Sequence, residues 1–281
     1  MSQSTRRLTP AADAQRLFKQ SPIDPKSLSA GETDALAREL YAVHQEIFGG
    51  VTEADFRAYV VDSPAARTRI QVYRAGDADG PVVGFAAVHV FELELDDGPM
   101  SLMRAEVGLM EGWRGRSAAA GFLLREGLRV AALSPVRRAC FLACPVHPAS
   151  YLALTRSCGQ VWPRPEAPTP APIQAVMDRL DSDLGLQRPA DAADDGVRKV
   201  GWITRQTPSE ARFWAGHSDE RVRYYIERNP GYRRGDGLLV LAPVDWRSVL
   251  DGALGTARRK LSRAWRTLGR LPFPALPLLA A

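Results

Sequence analysis

A stretch of twenty residues, AEVGLMEGWRGRSAAAGFLL at positions 105–124, is the part of the sequence best suited to chemistry. It is predicted to run from a strand through a tight loop at 112–116 into a helix that begins at Ser117. A loop of this kind aims free backbone N–H groups and the positive end of a helix at one point. Small residues let phosphates approach the backbone there: Gly115, Ser117, Ala118 and Ala119. The pattern therefore indicates an anion site that suits a pyrophosphate.

The predicted secondary structure around this loop alternates in a definite order. A helix is indicated from Thr33 to the Gly49-Gly50 pair, and Thr52 with Asp55 can open a second helix. Three strands joined by short loops predict an antiparallel meander: 70–74, 82–95 and 102–110. A helix, a strand and a short helix follow it: 117–133, 139–146 and 148–157. This order predicts a mixed α/β sheet.

The residues at 114–119, Arg-Gly-Arg-Ser-Ala-Ala, resemble the signature of the GNAT superfamily of acyl-CoA N-acyltransferases. That signature, Arg/Gln-x-x-Gly-x-Gly/Ala, lies between the fourth strand and the third helix of the family. The chain matches it at Arg114 and Ala119 and departs at Ser117, where the family usually has glycine. The order of elements from about 33 to 161 is similar to that fold. The resemblance implies a GNAT-like mixed, largely antiparallel sheet flanked by helices, with an extended C-terminal region.

The resemblance implies acyl transfer from acetyl-CoA or a longer acyl-CoA, without a metal. The loop and the start of the helix would bind the donor: Arg114, Gly115, Arg116, Ser117, Ala118 and Ala119. The fourth and fifth strands would separate to admit the pantetheine arm. Backbone N–H groups at Val107 and Leu109 would polarise the thioester carbonyl.

A general base is implied as well, because an amine must lose its proton before it attacks. Glu106, on the predicted fourth strand, is the candidate. The alternative is that Glu106 faces solvent or pairs with an arginine. Glu111 would repel a pyrophosphate and is interpreted as a surface residue. Glu92 and Glu94 are weaker alternatives, for which a solvated strand face is the competing interpretation.

The general acid is less clear from the sequence. The family usually has a tyrosine on the helix after the fifth strand, and Thr155 stands at that position here. Tyr151, one turn earlier on the same helix, is the candidate, and the alternative is that it packs in the core. His147, at the end of the fifth strand, is interpreted as a structural cap. Cys144 is interpreted as a buried packing residue.

Composition places the chain among ordinary globular proteins. It has 281 residues, of which 45% are hydrophobic and 25% charged, and this excludes a wholly disordered or polytopic membrane protein. Three cysteines are too few for a disulfide framework and match no zinc pattern. Residues 1–20 lack the apolar segment of a secretory signal, so a cytoplasmic location is expected.

Charge is concentrated at the C-terminal end. The net charge is +5, and residues 252–281 contain six cations and no acid, so the first 251 residues carry a formal charge of −1. No nucleic-acid partner is therefore expected. Residues 249–281 are predicted to form a basic amphipathic helix and an apolar tail that bind an anionic membrane surface. The alternative is that the helix docks its apolar face on the body of the protein.

Five segments are predicted along the chain. They are a loosely ordered arm (1–30), the GNAT-like core (31–162), a proline-rich connector (163–196), a strand–helix–helix–strand region (197–248) and the basic tail (249–281). The late strands either complete the first sheet or form a separate unit, and the sequence leaves both interpretations open.

Three functions are considered. The first is an acyl-CoA-dependent N-acyltransferase that acts on a small-molecule or peptide amine, cytoplasmic and peripheral at the membrane through the tail. The second resembles the long-chain N-acyl amino acid synthases, which share the GNAT fold and take acyl chains from acyl carrier protein. The basic tail would attract that acidic carrier. The third is a non-catalytic binding or membrane-interaction module derived from the same fold.

Overall fold

The structure is a computed structural model that describes residues 16–95, 98–114, 118–133, 138–192, 194–246 and 248. The predicted membrane-binding helix at 249–281, and the carrier-protein contact assigned to it, lie outside the described residues. Within the described ranges, no helix combines the length and the apolar composition needed to cross a bilayer.

Strands and helices alternate along the described chain. The strands are β1 (Leu17–Lys19), β2 (Phe48–Gly49), β3 (Arg67–Ala75), β4 (Val82–Leu95), β5 (Gly98–Leu109), β6 (Arg138–Ala143), β7 (Val197–Lys199), β8 (Ile203–Thr204), β9 (Asp236–Leu238) and β10 (Val240–Pro243). The α-helices are α1 (Ala30–Ile47), α2 (Glu53–Phe56), α3 (Ala118–Leu133), α4 (Pro148–Ser157), α5 (Ala171–Asp183), α6 (Pro208–Ala215) and α7 (Glu220–Arg228).

Local sequence signals explain where the first two helices begin. The Ser29 hydroxyl accepts the Glu32 N–H, and a Glu32 carboxylate oxygen accepts the Ser29 N–H at 2.8 Å, which is a capping box. The Thr52 hydroxyl accepts the Asp55 N–H at 3.2 Å and caps α2, as predicted. One turn of π-helix, Arg57–Val61, continues α2 toward the sheet.

The six-stranded sheet has the order β1-β3-β4-β5-β6-β10. All neighbouring strands in it are antiparallel except β5 and β6, which are parallel. The hairpin of β4 and β5 pairs Leu95 with Gly98 and Gly84 with Leu109, so the predicted meander is confirmed. The sheet is mixed and largely antiparallel, as the resemblance implied. Of the late strands, β10 completes this sheet on β6, whereas β7 pairs with β9 outside it.

Helices cover both faces of the sheet. On one face, α1 and α2 pack on alternate residues of β4 such as Phe85 and Ala87. On the other face, α3 and α4 pack on the intervening residues, Ala86 and Val88. Leu40 of α1 is fully buried, which stabilises the fold by roughly 1.5–3 kcal/mol. Each face of the central hairpin therefore has its own core.

Two of the predicted segments contain regular structure that packs on the sheet. Residues 16–29 are not a loose arm, because β1 pairs with β3 and Ile23 forms a β-bridge with Ile70. The proline-rich connector contains α5, whose Met177 and Leu180 are buried against β5, β6 and β10. Composition indicated a stiff linker there, but the apolar face of α5 docks on the sheet.

Candidate active site

Glu106 lies on β5, on the face of the sheet that α1 and α2 cover. It is paired with Ala87 of β4, which belongs to the core on that face. Two residues further on, a side chain at Gly108 would meet Ile47 and Phe48 at the end of α1. Only 8% of Glu106 is exposed, so the interpretation of it as a solvated strand residue is wrong.

A histidine and a threonine extend the site across three strands. His89 Nε2 of β4 lies 2.8 Å from Glu106 Oε2, and His89 Nδ1 lies 3.0 Å from Thr68 Oγ1 of β3. The contact between His89 and Glu106 is short but is not aligned as a hydrogen bond. All three side chains are buried. The tautomer with hydrogen on Nε2 suits both contacts, because a carboxylate oxygen can accept from Nε2–H while Nδ1 accepts from the Thr68 hydroxyl.

Tyr59 and Arg104 border Glu106. Tyr59 is in the π-helical turn, and its ring centroid lies 6.2 Å from that of His89. The guanidinium carbon of Arg104 lies 5.4 Å from the Tyr59 ring centroid. Burial raises the pKa of the Tyr59 hydroxyl well above its usual value, and the charge of Glu106 raises it further. Tyr59 is therefore a protonated donor beside the carboxylate at neutral pH.

Beside Glu106, β5 separates from β6. The parallel pairing covers only four residues of each strand and ends at Met103 and Phe141, although β5 continues to Leu109. Met110 N–H donates to Val83 of β4. By the alternation of an antiparallel ladder, Val107 and Leu109 then direct their N–H groups away from β4, toward the separation. This agrees with the separation that the resemblance implied.

The described part of the predicted phosphate loop is held by the C-terminal region. Arg114 donates to the Glu210 carboxylate at 2.9 Å and 3.0 Å, and to the carbonyls of Leu109 and Arg205 at 3.1 Å each. Its guanidinium is thus bound to protein groups. Gly115, Arg116 and Ser117 lie outside the described residues. The helix α3 begins at Ala118, and Ala119 is buried.

Tyr151 is a core residue and does not join the site. It is fully buried among the residues on the α3 face, opposite Glu106. Its hydroxyl donates to the Pro163 carbonyl at 2.9 Å, and its ring stacks on those of Tyr224 and Tyr225. Burial raises its pKa. The prediction of Tyr151 as a catalytic group is not supported by this geometry.

His147 caps α4, as interpreted from the sequence. Its Nδ1 accepts the Ala149 N–H at 3.2 Å, and its buried Nε2 makes no hydrogen bond. Burial lowers its pKa to about 4, although Gln206 and Glu210 act in the opposite direction. The ring meets Trp214 of α6 edge-on at 5.4 Å. The segment from Arg205 to Trp214 therefore contacts both the loop after β5 and the start of α4.

Residues that sequence reasoning missed include Thr68, His89, Tyr59 and Arg104. The register of the β4–β5 hairpin was the available signal, since it places His89 opposite Arg104 and diagonal to Glu106. Nothing in the local sequence pointed to Tyr59. Across the described residues, no group of three or more His, Cys, Asp or Glu side chains is arranged to hold a metal ion.

Comparison with known proteins gives structural matches only. No protein-family model matches the chain, and no curated protein matches it. NAA60 of Arabidopsis thaliana, solved with acetyl-CoA, has 19% identity and a TM-score of 0.34 over 52% of this chain and 87% of its own. A phosphinothricin acetyltransferase of Sinorhizobium meliloti, also with AcCoA, has 14% identity and a TM-score of 0.34 over 80% and 88%.

A GNAT-family acetyltransferase of Streptococcus pneumoniae has 10% identity and a TM-score of 0.33 over 82% of this chain and 99% of its own. Because these values are low, the fold is assigned on features of the chain itself. The strand order, the hairpin register and the separation of β5 from β6 give the described part of the chain the fold of GNAT acyltransferases.

Proposed function

We propose that this protein is an N-acyltransferase that moves an acyl group from acyl-CoA to an amine, with Glu106 as general base. The observation that carries the proposal is the buried line of Thr68, His89 and Glu106, which ends beside the separated strands. A buried carboxylate held next to a histidine is suited to accept a proton. The separation of β5 from β6 leaves backbone N–H groups free for a thioester.

The donor would lie along the free edge of β5. The N–H groups of Val107 and Leu109 would hold the thioester carbonyl as negative charge develops on its oxygen. The pyrophosphate would lie at the start of α3, which begins at Ala118, and the preceding sequence contributes the small residues Gly115 and Ser117. Arg114 would have to exchange Glu210 for the donor's phosphate, so donor binding would release the contact between this loop and α6.

In the proposed reaction, the amine nitrogen bonds to the carbonyl carbon and the carbon–sulfur bond breaks. Glu106 takes the proton that the amine loses, directly or through a water molecule. His89 Nε2–H faces the carboxylate and keeps it oriented. Tyr59 replaces Tyr151 as our candidate general acid, because its hydroxyl carries a proton beside Glu106: it would donate this proton to the leaving thiolate and take up the proton that Glu106 received from the amine.

The first test is Glu106→Gln. The matched control is Glu111→Gln, because Glu111 is exposed in the short turn that follows β5. Thiol release from acetyl-CoA would be measured with a panel of primary amines, and donor affinity by calorimetric titration. We expect Glu106→Gln to lower kcat by roughly 10²- to 10⁴-fold, since general base catalysis has about that value, with donor affinity unchanged. Glu111→Gln should keep the wild-type rate.

Unchanged turnover in Glu106→Gln would remove this residue from the mechanism. Tight donor binding by the wild-type chain without release of thiol from any amine would favour the non-catalytic module. No binding of acetyl-CoA, a long-chain acyl-CoA or free CoA would contradict the proposed donor and leave the carrier-protein alternative.

A further inference from the structure

Arg104 is a cation beside the candidate base that the protein itself does not neutralise. It lies two residues before Glu106 on the same face of β5, directly after the last parallel pair with β6. Among the residues that the structure describes, no carboxylate comes within 4.0 Å of its guanidinium, and it makes no hydrogen bond. Its one close aromatic neighbour is the Tyr59 ring.

Within the described part of the chain, several other partly buried arginines pair with a carboxylate, whereas Arg69 and Arg164 do not. Arg74 pairs with Glu39, Arg198 with Asp181 and Arg114 with Glu210. A cation that is partly removed from water without a partner is costly. Arg104 shares this lack of a carboxylate with Arg69 and Arg164, but it lies beside Glu106 where β5 leaves β6, and this position points to an anionic group of a ligand as its partner.

The charge on Arg104 is permanent. Burial by itself lowers its pKa, but the neighbouring groups of Tyr59, Glu106 and Cys144 raise it, and the net shift is upward. A guanidinium with free N–H donors is suited to bind a carboxylate through two parallel hydrogen bonds. The side chain thus presents a carboxylate-binding group to the same face on which Glu106 would receive a proton.

We propose that Arg104 binds a carboxylate of the substrate, so that the protein acylates an amine of the amino-acid class. The inference rests on the proposed function, since Glu106 must receive the amine for the two residues to share one ligand. Residues two apart on a strand are separated by about 7 Å. An amino acid spans this distance when its amino group hydrogen-bonds to Glu106 and its carboxylate hydrogen-bonds to Arg104.

A carboxylate at the far end of the acyl group is the second source of the same chemistry. Arg104 lies where β5 and β6 begin to separate, so a dicarboxylic acyl group such as succinyl could reach it. In both cases the ligand group is a carboxylate, and the substrates of the experiment distinguish its source.

The experiment compares wild type with Arg104→Gln and Arg104→Lys, and uses Arg223→Gln as control because Arg223 is exposed on α7. The first arm measures thiol release from acetyl-CoA with each standard amino acid and with its methyl ester. The second arm compares succinyl-CoA with acetyl-CoA on the neutral esters. Calorimetric titration of the amino acids into protein saturated with CoA gives a readout that needs no turnover.

Each substrate pair has one member with the carboxylate in question (the free amino acid, or succinyl-CoA) and one without it (the methyl ester, or acetyl-CoA). We expect Arg104→Gln to lower kcat/KM for the member with the carboxylate by roughly 30- to 1,000-fold, as for a truncated charge pair. The kcat/KM for the member without the carboxylate should change little. Arg104→Lys should give values between those of wild type and Arg104→Gln, and Arg223→Gln should give the wild-type values. Loss with amino acids assigns the carboxylate to the acceptor, whereas loss with succinyl-CoA assigns it to the donor.

The proposal is overturned if Arg104→Gln keeps the wild-type ratio of acidic to neutral substrates in turnover and in binding. It is also overturned if wild type neither binds an amino acid nor discriminates succinyl-CoA from acetyl-CoA. A third outcome separates the two proposals: wild type binds an amino acid, Arg104→Gln abolishes this binding, and no thiol is released. This would support the carboxylate site and contradict only the proposed acyl transfer.

Discussion

Two histidines are equally buried and have opposite surroundings. His44 and His89 are each 1% exposed. His44, in the last turn of α1, lies among aromatic rings, and neither of its ring nitrogens makes a hydrogen bond. Burial lowers its pKa to about 4. His89, on β4, has Thr68 on one ring nitrogen and Glu106 close to the other.

This difference separates a packing histidine from the histidine that we propose as part of the active site. In the first case the imidazole packs as one more ring, tilted against Phe56 at 4.8 Å and set edge-on to Trp202 at 4.5 Å. In the second case each ring nitrogen faces a group that can exchange or share a proton. Burial alone therefore does not identify an active-site histidine; the partners of its nitrogens do.

The largest effect expected from this comparison follows removal of the His89 nitrogens. His89→Phe keeps a ring but removes the donor that faces Glu106. Because the contact with Glu106 is short but not aligned as a hydrogen bond, its contribution should lie near the lower end of the about 1.5–3 kcal/mol of a hydrogen bond to a charged group, so kcat should fall roughly 10-fold. His89→Gln retains an N–H donor and should recover part of the rate, with donor affinity unchanged in both. Equal rates for the two variants would reduce His89 to a packing residue like His44.

The pH dependence of stability should identify His44 as a buried neutral group. Its pKa is lower in the folded chain (about 4) than in the unfolded chain (6.5), so the unfolded state binds more protons between these values. Its contribution to stability is therefore lost as the pH falls through this window. Between pH 7.5 and pH 5 the loss is about 2 kcal/mol for His44, and a similar loss is expected for His147, whose pKa is also lowered to about 4.

The measurement is the free energy of unfolding by urea at pH 7.5 and pH 5, for wild type and His44→Phe. Between the two pH values, the variant should lose about 2 kcal/mol less stability than wild type. In the variant, His147 is left as the buried histidine that takes up a proton on unfolding. Thiol release should be unaffected at pH 7.5. If the free energy of unfolding of His44→Phe changed between pH 7.5 and pH 5 by as much as that of wild type, His44 would not be neutral in the folded state.

The smallest effect is expected at Thr68. Thr68→Val keeps the shape of the side chain but removes the hydroxyl that His89 Nδ1 contacts. A neutral hydrogen bond contributes about 1 kcal/mol, so kcat should fall by roughly fivefold. The steady-state rate with acetyl-CoA measures this, and Ser101→Ala on β5 is a control for loss of a buried hydroxyl. A drop as large as that of His89→Phe would mean that Thr68 contributes more than orientation of the ring.

Much of the scaffold follows from local sequence. The helix Pro148–Ser157 and the strand Val82–Leu95 have the bounds that their residues predicted, and the two helices predicted within 197–248 are Pro208–Ala215 and Glu220–Arg228. Glu106 was also identified as a candidate, from its place on a strand before the loop. These features depend on caps, prolines and periodicity within a few residues, which act before distant parts of the chain meet.

Partners of Glu106 could not be predicted in the same way. A shift of one residue in the hairpin register would turn His89 to the opposite face, and sequence alone did not specify the turn closely enough to exclude it. The chain also has Thr155 where a general acid was expected, and its hydroxyl only donates within α4, to the Tyr151 and Leu152 carbonyls. The replacement we propose, Tyr59, is in a different part of the sequence.

The amino-acid sequence by itself determined the elements, the hairpin and the carboxylate at position 106, because each depends on neighbours along the chain. Only the tertiary structure decided that β5 parts from β6, that Arg104 forms no ion pair with any described residue, and that Arg114 binds Glu210 96 residues away. The reason is physical. Contacts between distant residues depend on how the faces of completed elements pack, and no local pattern encodes that packing.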